Sequence, residues 1–202
     1  MSLWAIVPVK PLRRGKSRLG RVLSKEERTH LNKMMFERTM KIVNEVPEIS
    51  QTLVVSRDSA ALALARDYGA RTVQEDGAPI LNSALRRATI VAKAYSIQGV
   101  LILPADLPLL NTRDLQTFIK LAEKPPVVVI APDRRHDGTN ALLVSPAGLI
   151  EYAYGPGSFK KHCERAAQAG VRLEICDLPA FGLDIDFPED LELFHSLEAK
   201  QV

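Results

Sequence analysis

Aromatic side chains make up only 5% of this 202-residue chain, so aliphatic residues must supply most of its packing. Cysteine is also scarce. Cys163 and Cys176 are neither a disulfide framework nor a metal pair, and a reducing, cytoplasmic compartment is the expectation. No apolar run approaches the roughly 20 residues of a membrane-spanning helix. The run from Leu3 to Val9 is too short for a secretory signal and reads as a strand. No sign of charge dominates: 27 basic residues against 24 acidic ones leave a net charge of +3, which does not demand a nucleic-acid partner. Linkers, low-complexity tracts and internal repeats are missing too. A chain that is 46% hydrophobic and of this length is expected to form a single domain over residues 1–202.

What is present is alternation. Apolar strand-like runs at 3–9, 52–56, 100–104, 126–133, 140–145 and 171–177, with a poorer one at 71–74, are separated by helical patterns. The longest helix is expected over 24–46, where Ser24 and Glu27 have capping-box spacing and Leu31, Met35, Thr39, Ile42 and Val46 form one stripe. Further helices are expected over 58–68, 80–96, 112–123 and 158–169, and from Pro188 onward. Buried strands alternating with amphipathic helices imply an α/β sandwich with a mostly parallel sheet. The close succession of 126–133 and 140–145 suggests one antiparallel strand. Ligands of such sheets bind beyond the carboxyl ends of strands, which directs attention to the segments following 3–9, 100–104 and 140–145.

The first of these, PVKPLRRGKSRLG, puts Lys10, Arg13, Arg14, Lys16, Arg18 and Arg21 within twelve residues. Gly15-Lys16-Ser17 invites a P-loop reading, but the glycine required five residues earlier is Lys10. What remains is a basic loop in which Lys10, Lys16 and Arg18 can reach phosphates. The second, VLILPADLPLL, delivers one acid, Asp106, to a turn between prolines, which suits either a turn aspartate or a Mg²⁺ ligand. Asp184 and Asp186, in FGLDIDFPEDL, lie two apart in an extended stretch and so share a face. They repel unless a cation lies between them, although Asp186 could instead cap the last helix. A DxD phosphatase motif belongs after the first strand and is set aside. Gly155, Gly157 and Ser158 precede a helix whose first N–H groups could take an anion or be capped by Ser158. Asn82 opens a helix and could meet a base or ribose. His136 and His162 have no partner nearby in sequence and are expected at the surface.

The ordered set WAIVPVKPL, GKSRLG, LNSAL, LPADLPLL, DGTNALL, GPGSFKKH and LDIDFPEDL resembles the 2-phospho-L-lactate and phosphoenolpyruvate guanylyltransferases of coenzyme F-420 biosynthesis, over nearly the whole chain. The resemblance implies a Rossmann-like three-layer α/β/α sandwich with a mixed sheet, of the nucleotide-diphospho-sugar transferase type. It implies transfer of GMP from GTP to a phosphorylated three-carbon acid with release of diphosphate. Lys10, Lys16 and Arg18 would bind the triphosphate, with Asn82 by the guanosine. Asp106, Asp184 and Asp186 would hold Mg²⁺, Lys16 and Asp106 would serve catalysis, and Thr139, Gly155 and Ser158 would hold the acid. The expected partners are GTP and the acid, with neither nucleic acid nor membrane; a homodimer is permitted. The rival readings are the same chemistry on a sugar phosphate or molybdopterin, and a non-catalytic nucleotide-binding regulator.

Overall fold

The computed structural model describes residues 2–76 and 80–199. Seven strands, β1 (Leu3–Val9), β2 (Ile49–Ser56), β3 (Arg71–Gln74), β4 (Gly99–Ile102), β5 (Val127–Pro132), β6 (Thr139–Ser145) and β7 (Arg172–Ile175), form one sheet in the order β3-β2-β1-β4-β6-β5-β7. Between and after them come α1 (Lys25–Glu45), α2 (Ser59–Asp67), α3 (Leu81–Lys93), α4 (Thr112–Lys120), α5 (Ser158–Gln168), the single turn α6 (Pro179–Gly182) and α7 (Pro188–Glu198). β6 pairs antiparallel with both β4 and β5, while every other pairing is parallel. This mixed sheet, covered on both faces, is the expected three-layer sandwich.

The central strands β1, β4, β5 and β6 are buried along almost their whole length because both their faces are covered, whereas the edge strands β3 and β7 are half exposed. Leu3, Ala5 and Val7 of β1 pack with α1, α2 and α4 through Phe36, Met40, Leu62 and Phe118. The intervening Trp4 and Ile6 face α3 and α5 through Leu85, Ala88 and Ala166. Each fully buried Phe or Leu contributes about 1.5–3 kcal/mol by leaving water. The α1 capping box forms as expected: Ser24 Oγ accepts from Glu27 N at 3.1 Å, and Glu27 accepts from Ser24 N at 2.7 Å. Its buried stripe is wider than the sequence suggested, because Phe36, Met40 and Val43 join Met35, Thr39, Ile42 and Val46. At the α4 start the cap is Asn111, its side chain accepting from Asp114 N at 2.9 Å.

One expectation is corrected by topology. Since β6 runs against the other strands, the segment after Ser145 lies at the far edge of the sheet, beside the start of β5. It is the beginning of β6, Thr139 and Asn140, that joins the carboxyl ends of β1 and β4.

Candidate active site

The loop after β1 is pinned from two helices. Leu12 N donates to the α2 cap residue Asp58 at 2.8 Å, and Asn32 of α1 donates to Leu12 O at 2.8 Å. Gly15 leaves room for that amide, since a Cβ would stand 2.7 Å from the Asn32 nitrogen and push it off Leu12 O. The chain then turns through Lys16, whose φ of 54° is left-handed, into a 3-10 turn over Ser17–Arg21. Lys16 is thereby driven inward: its side chain is only 5% exposed, its Nζ donates to Ile185 O, and it lies 3.6 Å from Asp106 Oδ2. Arg18 stays outside and pairs with Asp186 at 3.0 Å while lying over the Phe187 ring.

Asp106 is presented by a turn whose leucines are held in the core: Leu103, Leu107 and Leu110 are all buried. The turn meets the second acidic segment directly, Ile185 N donating to Asp106 O at 3.3 Å. Ile185 is fully buried against Leu19 and Met35, so the extended alternation turns Asp184 and Asp186 the other way. Both then face the same cavity as Asp106. Burial, then the charges of Asp106 and Asp186, push the Asp184 carboxyl up to about 6. Asp186 does not cap the last helix. Asp190 takes that place, accepting from Asp186 N at 3.0 Å and Phe187 N at 2.8 Å while Arg134 donates to its other oxygen.

The cavity has a volume of about 440 Å³, within the usual range for small-molecule sites. Of the residues singled out in the sequence, its wall holds Lys10, Lys16, Asp106, Thr139, Asp184 and Asp186. Arg18, Asn82, Gly155 and Ser158 are not on the wall among the described residues. Asn82 is committed to the main chain of Tyr154, donating to its carbonyl at 3.0 Å and accepting from its N–H at 2.8 Å. Its amide is therefore occupied, and it serves the site by fixing Tyr154, which does line the cavity.

The start of α5 departs furthest from expectation. Gly157, with φ 68°, is the cap, so Ser158 is the first helical residue and not the cap. The helix N-terminus is not an open anion cradle either. Gly157 N faces the Asp137 carboxylate at 3.2 and 3.3 Å, Ser158 N donates to Gly155 O, and Phe159 N donates to Asp137 O. Ser158 acts through its hydroxyl instead, which reaches Thr139 Oγ1 at 3.3 Å. His162 is not a surface residue: it is fully buried, 3.0 Å from Thr139 Oγ1. His136, by contrast, is half exposed and lies 3.6 Å from Asp177. Asn140, in the stretch that carries Thr139, lines the cavity too; sequence reasoning missed Tyr154, Arg57 and Glu75, which also line it and which no local signal marks.

Three acids and a buried lysine thus surround one cavity at the carboxyl edge of a Rossmann-like sheet. The family model for "Guanylyl transferase CofC like" proteins matches residues 3–200. The chain belongs to this guanylyltransferase family. A phosphoenolpyruvate guanylyltransferase of Rubrobacter xylanophilus is 41% identical over 95% of this chain and 92% of its own length. A 2-phospho-L-lactate guanylyltransferase of Methanocaldococcus sp. is 35% identical over 94% of this chain and 80% of its own. A nucleotidyl transferase structure from Methanothermobacter superposes with TM-score 0.71 at 17% identity, covering 100% of this chain and 99% of that one. A 4-diphosphocytidyl-2C-methyl-D-erythritol synthase structure gives 0.68 at 15% identity, covering 97% and 98%. At such identities these structures speak for the fold. Family and fold together make the chain a nucleotidyltransferase.

Proposed function

We propose that this guanylyltransferase moves GMP from GTP onto the phosphate of a three-carbon acid, such as phosphoenolpyruvate, 2-phospho-L-lactate or 3-phosphoglycerate, as a step of coenzyme F-420 biosynthesis. The observation that carries the reading is the convergence of Lys16, Asp106, Asp184 and Asp186 on the cavity that Thr139 also lines. An acceptor phosphate oxygen attacks the α-phosphorus of GTP, forming a new P–O bond as the bond to the β-phosphate oxygen breaks and diphosphate leaves. Both reactants are anionic, so the protein's task is neutralisation and alignment. Lys16, held by Ile185 O and Asp106, keeps one positive charge fixed at the triphosphate. Lys10 adds another from the loop, and the Thr139 hydroxyl orients the acceptor. The two free cysteines suit a cytoplasmic enzyme.

The acidic set fits Mg²⁺. Among the described residues no three acidic, histidine or cysteine groups close a ligand shell, and Mg²⁺ does not ask for one. It takes one or two carboxylates and completes its octahedron with water and substrate phosphates. Asp106, Asp184 and Asp186 would hold it, and when bound it supplies charge neutralisation at the phosphate oxygens. The raised carboxyl of Asp184, crowded by two other acids, is the electrostatic reason a cation is welcome there.

The test is diphosphate release by purified protein with each of GTP, CTP, ATP and UTP against the three acids, a sugar phosphate and molybdopterin. GTP with one of the acids should turn over. Turnover confined to a sugar phosphate or molybdopterin, or nucleotide binding with no turnover, would overturn the assignment.

A further inference from the structure

Thr139 Oγ1 receives two hydrogen bonds from inside the protein, and their direction can be deduced. His162 Nε2 lies 2.9 Å from the backbone N–H of Ala153, which can only donate. Nε2 is therefore the bare nitrogen, and in the neutral ring the proton sits on Nδ1. Burial, then the Arg165 charge, holds the imidazole down to about 4 and keeps it neutral. Tyr154 closes one side of the ring edge-on, with centroids 5.1 Å apart. Nδ1–H then donates to Thr139 Oγ1 at 3.0 Å, and Ser158 Oγ–H donates to the same oxygen at 3.3 Å. A hydroxyl oxygen has two lone pairs and one proton. With both lone pairs engaged from behind, the proton of Thr139 is left for the cavity it lines.

We propose that His162 is a positioning residue for the acceptor: with Ser158 it makes Thr139 an obligate donor into the cavity, so this wall takes an anionic carboxylate or phosphate oxygen and rejects a hydrogen-bond donor. The inference rests on the guanylyl-transfer reading for the identity of the acceptor, but its physical core is the tautomer, which is measurable without substrate.

Two experiments test it. In nitrogen-resolved NMR of the whole protein at neutral pH, the His162 ring should carry its proton on Nδ1; a proton on Nε2 overturns the proposal. In kinetics, His162→Leu removes the donor and should raise the acid's KM about tenfold with the KM for GTP nearly unchanged. His162→Asn, which keeps an N–H near the Nδ1 position, should recover most of the loss. In a Thr139→Val background, His162→Leu should have almost no further effect, because the group it orients is gone. Equal rises in both KM values, no recovery by Asn, or effects that multiply would each overturn the proposal. Should His162→Leu not fold, comparison of His162→Asn with His162→Gln, which cannot place a donor at Nδ1, carries the same decision. Failure of the wild type to use any of the three acids would overturn the proposed function instead, and the tautomer result would stand apart from it.

Discussion

At the residue scale, the site depends on charges held where water would not leave them. Lys16 is the clearest case: a 5%-exposed ammonium is tolerated because a carbonyl and a carboxylate meet it. Asp106 is its carboxylate partner, yet it also crowds Asp184. Asp106→Asn, which removes the charge but keeps a carbonyl oxygen for Lys16, should therefore cost catalysis far more than stability, about 10²–10³-fold in kcat with a melting temperature close to that of the wild type. Diphosphate-release kinetics beside thermal unfolding would check this, and near-normal turnover would remove Asp106 from the mechanism. His162 supports a second prediction, about pH. Its folded-state pKa is depressed to about 4, so between about 4 and the ordinary 6.5 the unfolded chain binds more protons. Its contribution to stability is complete above about 6.5 and lost as pH falls toward 4, a swing of at most roughly 3 kcal/mol. Urea midpoints across that window should slope less steeply for His162→Asn than for the wild type.

At the scale of elements, the acidic segment is positioned by the helix that follows it. Asp190 is buried and accepts from the N–H groups of Asp186 and Phe187 as well as from Arg134. Asp190→Ala would leave three donors without their acceptor, at about 2–3 kcal/mol, and would free Asp186 to drift from the cavity. Both the urea midpoint and kcat should fall, whereas loss of stability at full activity would mean that Asp186 is placed by something else. The sequence left a cap role for Asp186 open beside the cation reading. Two acids four residues apart beside a helix start are equivalent candidates until the fold shows which one turns back. The α5 start carries the same lesson. GPGS offers either an open anion site or a Ser158 cap, but Asp137, twenty residues upstream of Gly157, occupies that N-terminus.

At the scale of the molecule, the acidic triad, the basic loop and the hydroxyl pair come from segments far apart in the chain and are joined only by the sheet. We expect residues 1–202 to unfold as one cooperative unit. Chelation of divalent cations should abolish turnover, and added Mg²⁺ should restore it. GTP with Mg²⁺ at about a hundredfold excess over its Kd should add about 2.7 kcal/mol, a rise of roughly 5–10 °C in Tm. A calorimetric scan with and without ligand measures this, and a Tm indifferent to GTP would argue against the nucleotide assignment.

The sequence by itself determined the layered α/β architecture, because hydrophobic period is a local property and each strand and helix writes its own. It also determined that Asp184 and Asp186 share a face, since extended backbone alternates with period two, and that the β1 loop is basic. Only the tertiary structure decided which polar groups are partners. Lys16 meets Ile185 across 169 residues, and His162 reaches Thr139 across 23. The antiparallel course of β6 alone carries Thr139 to the carboxyl edge of β1 and β4. A buried polar group takes whichever partner the packing brings within about 3 Å, and no periodicity along the chain encodes that choice.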